Sequence, residues 1–433
     1  MSRIRSVVGL LRRNPDFARL YTALLIAFAA DWFATVALID LVLEATDSAG
    51  AASIILVLQM APFLLATPIA GVLADRFDRR RLLAGANFGR AMVSLGLLLA
   101  VSSDTVLIAF AVVALLAFGA AVFEPTVSAS LPNLVDREDL PTANALIASA
   151  WGTMVAMGAA IGGLVTSAGG RELTFLVYPL LFVASGVLVW SVRRPLREAG
   201  ADPVEAVPAG LAGLRSTFTE TYQLARRDRS VASLLLTKPT FGVATGIVSM
   251  LAITSDEIWG SGAAGAGILF AARGLGALVG PFAARGYATD DRRRLLTGIG
   301  ISFVVYLVGY ALIPVAPVIW IAAVFVFIGH LGGGAQWVLS SFGLQRAAPD
   351  RIRGRVFSVD FGLALAVSSI STLVAGYLAG VIGSLATLYV MLGAMAVTVA
   401  VWFWWTRPIR RDPSQPAVVV DEPPPHATPE PPM

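Results

Sequence analysis

Residues 79–85 read RRRLLAG and residues 292–298 read RRRLLTG, the same heptapeptide but for one position, 213 residues apart. A recurrence at about half the length of a 433-residue chain marks two copies of one structural unit. A second match shares the separation: Gly163 answers to Gly376, each roughly 25 residues past a charged loop, DRED at 136–139 and PDRIRGR at 349–355. Around each copy the chain is apolar in runs long enough to cross a hydrocarbon layer of ~30 Å as helix at 1.5 Å per residue.

Twelve such runs are read, near 18–42, 50–73, 83–101, 105–123, 143–168, 173–191, 232–254, 263–283, 296–313, 317–341, 357–381 and 385–405. They are apolar on every face rather than alternating, which predicts helices and not barrel strands. Composition agrees: 57% of residues are hydrophobic, only 14% are charged, and the mean hydropathy is +0.76. The predicted fold is all-α and membrane-integral, twelve spans in two pseudo-symmetric six-helix bundles. The bundles are placed at 1–191 and 231–406, joined by a cytoplasmic linker at 192–230 and followed by a disordered cytoplasmic tail at 407–433, which ends VVVDEPPPHATPEPPM. Within the linker, LAGLRSTFTETYQLARRDRS reads either as an amphipathic helix on the membrane surface or as a plain connector. The basic N-terminus precedes an apolar run too long for a signal peptide, so it is read as retained.

Basic residues number 32, all arginine except Lys238, and they occupy alternate connections. This bias predicts both termini on the cytoplasmic side of a bacterial cell membrane, with Arg171 the one basic residue outside. A pI near 9.7 is therefore a topology signal that meets lipid headgroups and not a nucleic-acid footprint. There is no cysteine, and the two histidines, His330 and His426, offer no metal cage, so metal and cofactor are both expected to be none. Neither a catalytic triad nor a phosphate-cradling loop is visible, which argues against an enzyme and against drive by ATP.

The loop after the second span runs Gly71-Val-Leu-Ala-Asp75-Arg76-Phe-Asp78-Arg79-Arg80-Arg81. It resembles the signature loop between helices 2 and 3 of the major facilitator superfamily, with its degenerate copy between helices 8 and 9. DWFATVAL in span 1, FEPTVSASLPNLV and ANAL after span 4, and PDRIRGRVFS before span 11 are similar to the branch holding macrolide-efflux and enterobactin-export proteins. The resemblance, over residues 15 to 406, implies a secondary transporter working by alternating access, a cavity between the halves, and a loop that latches. The latch comprises Gly71, Asp75, Arg76, Arg79 and Arg80, and in it the arginines would pair with Asp75 or with helix C-terminal carbonyls across the seam between the halves. Exporters of this superfamily often carry Gly-Pro-x-x-Gly-Gly in helix 5. Here the stretch is Gly158-Ala159-Ala-Ile-Gly162-Gly163, with alanine in place of proline, which leaves the direction of transport open. Its small residues, like Gly276 and Gly280 in span 8, predict close packing of spans 5 and 8.

Two charges lie midway along spans. Asp31 is about equidistant from Arg19 and Glu44, where a carboxylate costs about 2.5–3.5 kcal/mol, and Arg273 lies at matching depth in span 8. Asp31 reads as a proton-coupling carboxylate; alternatively it pairs with Arg273 across the halves as a gate or anion site. His330, midway along span 10, is a third candidate for coupling, weighed against a histidine that is merely hydrogen-bonded. Thr35, Glu124, Thr245, Gln336 and Trp337 are candidate cavity-lining groups, with Trp32, Phe33, Phe241 and Phe342 as aromatic wall. Arg90, Glu124, Lys238 and Asp360 are placed nearer the cytoplasmic ends, where snorkelling makes charge cheap. The expected partners are a small-molecule substrate, protons and the lipid bilayer, with the protein a monomer. The leading function is proton-coupled export of a small amphipathic molecule, drug-like or siderophore-like. An importer or facilitator of the same fold, and a membrane enzyme or signalling protein without flux, stand as alternatives.

Overall fold

A computed structural model of the chain describes residues 2–100, 105–136, 138–196 and 211–411. Within these, all regular structure is helical and no strand occurs. Ten helical stretches have the length and hydropathy to cross a membrane. The helix Ala49–Arg76 is another span, and the stretch Leu140–Trp190 is two, because the chain reverses at Gly170 (φ 75°, ψ 174°). Only glycine enters that region without strain, so this residue makes the hairpin of spans 5 and 6. The result is the expected all-α membrane fold of twelve spans.

Span 1 is Pro15–Phe33 continued by Thr35–Thr46, span 2 Ala49–Arg76, span 3 Arg79–Ser94 with a 3₁₀ extension Leu95–Leu99, and span 4 Val106–Ser130. Span 7 comes in three pieces, Arg229–Leu235, Thr237–Gly242 and Gly246–Trp259. Spans 8 to 12 are Gly262–Ala283, Arg292–Ala311, Ile319–Ala347, Asp350–Ile382 and Ser384–Arg411. Span 12 thus stays helical past the expected end at 406, with Arg410 donating to the Phe403 carbonyl at 2.9 Å; residues 412–433 of the expected tail, His426 among them, lie outside the described residues. So do 197–210 of the linker. Its other part forms the helix Leu211–Arg227, held against span 11 by the Glu220–Arg355 ion pair.

Each copy of the repeat begins with the same device. Asp78 accepts the Arg81 backbone N–H at 2.9 Å, and Asp291 accepts those of Arg293 and Arg294 at 2.9 and 3.2 Å, so both carboxylates cap the helix that follows. Packing repeats too. Span 1 lies along the hairpin of spans 5 and 6, span 2 along 4, and span 3 along 4; in the second half, 7 lies along 11, 8 along 10, and 9 along 10 and 12.

The halves meet along two seams, span 5 against span 8 and span 2 against span 11. A Cβ at Gly163 would stand 2.9 Å from the Gly267 Cα, and one at Gly376 would stand 2.9 Å from the Gly50 Cα. The two glycines matched by sequence therefore do the same work on opposite sides of the molecule. The remaining predicted glycines pack elsewhere. Gly158 and Gly162 face the Ala29 and Phe33 carbonyls of span 1, and Gly276 and Gly280 face span 10 at Phe327 and Leu331. Spans 5 and 8 do pack closely, through Gly152 and Gly163 on one side and Gly267 and Gly274 on the other. The exterior carries exposed Leu107, Met92, Leu115 and Tyr377, a surface made for lipid.

Candidate functional site

Span 1 breaks at Ala34, and the break is tied by side chains. Thr35 Oγ1 donates to the Asp31 carbonyl at 2.8 Å, and Gln59 Nε2 of span 2 donates to Thr35 Oγ1 at 2.9 Å. Just before the break, the Asp31 carboxylate forms an ion pair with Arg90 of span 3. The Arg90 stem lies over Gly119 of span 4, where a Cβ would come 2.6 Å from its Cγ, and its guanidinium stands 4.1 Å from the centre of the Phe182 ring. Arg90 is 2% exposed while the Asp31 side chain keeps 28%, so the cation is sealed and the carboxylate is not. Glu124 and Tyr178 are close enough to interact electrostatically with both. One guanidinium neutralises one carboxylate; in a medium of low dielectric the second needs a proton, a cation or water.

The cross-half pair of Asp31 with Arg273 does not form, because Arg90 takes the carboxylate within the first half. Arg273 of span 8 instead donates its Nε–H to His330 Nε2 at 3.1 Å and lies 4.9 Å from the centre of the Trp32 ring, contributed by span 1. Guanidinium cannot accept, so His330 Nε2 carries no proton here. In the neutral ring the proton is then on Nδ1, which faces the Tyr310 hydroxyl at 2.8 Å. Tyr306 stacks on Tyr310 at 4.5 Å between ring centres, and Phe241 meets Tyr306 edge-on at 4.8 Å. His330 is thereby held in one tautomer by an arginine on one side and a phenol on the other.

A second ion pair joins Lys238 of span 7 to Asp360 of span 11, with both side chains 2% exposed or less. The expectation that Arg90, Lys238 and Asp360 lie in the cheap, snorkelling layer is overturned: Arg90 and Lys238 are sealed by packing, and each charge is met by an opposite one. Glu124 is half-buried beside the first pair rather than facing the cytoplasm alone. Counting residues inward detects this for the first half. Asp31 lies 12 residues from Arg19 and Arg90 lies 11 from Arg79, so these two share one layer.

In the signature loop, Gly71, Asp75 and Arg76 belong to the helix Ala49–Arg76, but their side chains lie outside the described residues. Arg79 donates to the Ala129 and Leu196 carbonyls at 2.6 and 3.0 Å, and Arg80 to those of Arg193 and Arg194 at 3.0 and 3.3 Å. Only the Ala129 carbonyl lies at a helix end, that of span 4, as charge at a C-terminus should. The Arg193, Arg194 and Leu196 carbonyls lie in the segment just past span 6, so all four acceptors belong to the same half and not to the far side of the seam. Among the other cavity-lining candidates, Thr245 is 3.1 Å from the Ser368 hydroxyl and buried Gln336 donates to the Gly333 carbonyl at 3.2 Å. Trp337 stands over the Lys238 ammonium, 5.0 Å from ring centre to Nζ.

Comparison with known proteins bears on the whole chain. The sequence model of the Major Facilitator Superfamily matches residues 20–359. The chain is 30% identical over 378 residues to an uncharacterized MFS-type transporter of Mycobacterium tuberculosis, covering 82% of each. It is 30% identical over 413 residues to the multidrug efflux pump Tap of Mycolicibacterium fortuitum, covering 89% of this chain and 96% of that one. A putative bacilysin exporter of Bacillus subtilis is 26% identical over 307 residues, covering 70% and 74%. Among solved structures, a bacterial homolog of the human lysosomal transporter Spinster, inward-facing and unoccupied, superposes with a TM-score of 0.70 at 15% identity over 93% of this chain and 99% of that one. The nucleoside transporter NupG superposes with a TM-score of 0.67 at 12% identity over 90% and 99%.

Proposed function

Since the chain belongs to the major facilitator superfamily, we propose that it is a proton-driven exporter of a small amphipathic molecule from a bacterial cell, working by alternating access as a monomer with both termini in the cytoplasm. The observation that carries the proton half of this reading is the charge count at Asp31, Glu124 and Arg90: the sealed guanidinium is ion-paired with Asp31, whose side chain stays partly open, and Glu124 lies near that pair as a second carboxylate. A proton arriving there neutralises the surplus charge; its departure restores it, and such a group is what a pH gradient can act on. The ion pair lies on spans 1 and 3, and span 1 also supplies Trp32 to the second half, so a change of charge at Asp31 acts on a helix that both halves touch. The export half draws on the efflux pump and the putative exporter among the relatives. Arg79 and Arg80 act in this scheme by tying the loop to the exits of spans 4 and 6, keeping the first half rigid as it rocks.

The reading is tested in inverted membrane vesicles loaded by an imposed pH gradient of either sign. Asp31→Asn is expected to abolish gradient-driven flux while leaving substrate exchange at equilibrium, and Glu124→Gln to weaken the drive. A variant at Asp31 that still concentrates substrate against its gradient in response to pH would sink the assignment, and flux in the importing direction alone would favour the importer.

A further inference from the structure

Span 7 is interrupted on both sides of a six-residue piece, Thr237–Gly242, that carries Lys238. At the second interruption the Ser371 hydroxyl of span 11 donates to the Val243 carbonyl at 2.6 Å and accepts the Gly246 N–H at 2.9 Å, so span 11 stitches the break. The Lys238 ammonium is enclosed by groups from two further spans. It pairs with Asp360, donates to the Ser341 hydroxyl at 2.9 Å, and lies 5.0 Å from the centre of the Trp337 ring and 5.9 Å from that of Phe357. Phe361 meets Trp337 edge to face at 6.0 Å.

A carboxylate, a hydroxyl and two aromatic faces around one ammonium form a cation cage, of the type that recognises organic ammonium ligands. Asp360 is 1% exposed, and its Oδ1 accepts no hydrogen bond among the described residues, so the cage holds one acceptor more than Lys238 uses. A bridge that served packing alone would need neither the aromatic enclosure nor the spare oxygen, and buried ion pairs are poor stabilisers compared with apolar side chains. Lys238 is also the sole lysine in a chain with 31 arginines. An arginine's planar fork would lock onto the carboxylate at two points, whereas an ammonium on a flexible four-carbon stem holds it at one and can leave.

We propose that Lys238 is a tethered stand-in for the substrate's charge, and that the cage of Asp360, Ser341, Trp337 and Phe357 binds the cationic group of an amphipathic organic cation. The substrate takes the spare Asp360 oxygen first and then the aromatic faces as Lys238 swings out. When the substrate leaves, Lys238 returns, so the carboxylate is never stranded in a dry site. This deepens the export reading, on which it rests, by giving the substrate a sign of charge and a seat in the second half.

The test is equilibrium binding of radiolabelled tetraphenylphosphonium to the purified full-length protein in lipid nanodiscs. Lys238→Met removes the ammonium that competes for Asp360 and is expected to bind the probe about tenfold more tightly than the native chain. Lys238→Met with Asp360→Asn loses that gain, and Trp337→Leu in the otherwise native chain, which keeps the ion pair, binds several-fold more weakly than native. Equal affinity of the native and Lys238→Met proteins, or native binding by Trp337→Leu, overturns the cage. If Lys238→Met does not fold, the Trp337→Leu comparison decides alone. The two readings fail separately: an absent binding gain beside intact pH-driven efflux removes the cage only, and cage binding without flux under any gradient removes the exporter only.

Discussion

The two seams between the halves are alike, and the two sets of buried charges are not. Gly163 against Gly267 and Gly376 against Gly50 are the same contact made twice, each from the position that the repeat pairs with the other. The charges have no such correspondence. The first half pairs spans 1 and 3 through Asp31 and Arg90, the second pairs spans 7 and 11 through Lys238 and Asp360, and Arg273 with His330 has no counterpart among the described residues of the first half. Surfaces on which the halves must slide have to match in shape, which holds both copies to one solution. Ionisable groups are under no such constraint, and each half holds a different set.

The contrast is broken or sharpened by substitution. Arg90→Met leaves Asp31 without its cation and is expected to destabilise the protein by about 3–5 kcal/mol, with much of the loss restored by adding Asp31→Asn; thermal unfolding in detergent measures both. No recovery in the double variant would mean that Arg90 acts by packing on Phe182 and not by charge. Gly163→Val and Gly376→Val should each cost about 1–3 kcal/mol through overpacking against backbone, and should cost nearly the same. Very unequal losses would break the likeness of the seams. The smallest effect is at the caps, where Asp78→Ala and Asp291→Ala are each expected to lose about 1 kcal/mol, again as a matched pair.

The arrangement of spans was legible because it is written in one dimension. A bilayer needs apolar runs of fixed length, and the recurrence of RRRLLAG as RRRLLTG divides the chain. The partner of Asp31 was harder. Arg90 is 59 residues away, on a helix whose rotation no periodicity reports, since spans that are apolar all round show no preferred face. Arg273 looked the better mate because it alone was placed at matching depth. The count from Arg79 to Arg90 would have put Arg90 in the same layer. The break at Ala34 was missed for another reason: no glycine or proline lies beside it to announce it, and the chain yields there because Thr35 and Gln59 supply hydrogen bonds in place of the lost turn, whereas the break in span 7 is marked in the sequence by Pro239, Gly242 and Gly246 and is stitched by Ser371.

Asp31 and Trp32 are consecutive residues, and they look in different directions: the first is fastened to Arg90 in its own half, while the second lies over Arg273 in the other. Span 1 is therefore a crank with two short arms, one in each half, turning just below its own joint at Ala34. A twist too small to shift any helix bodily would still lift an indole from a guanidinium, and no chain of intermediaries is required for the halves to register each other's charge.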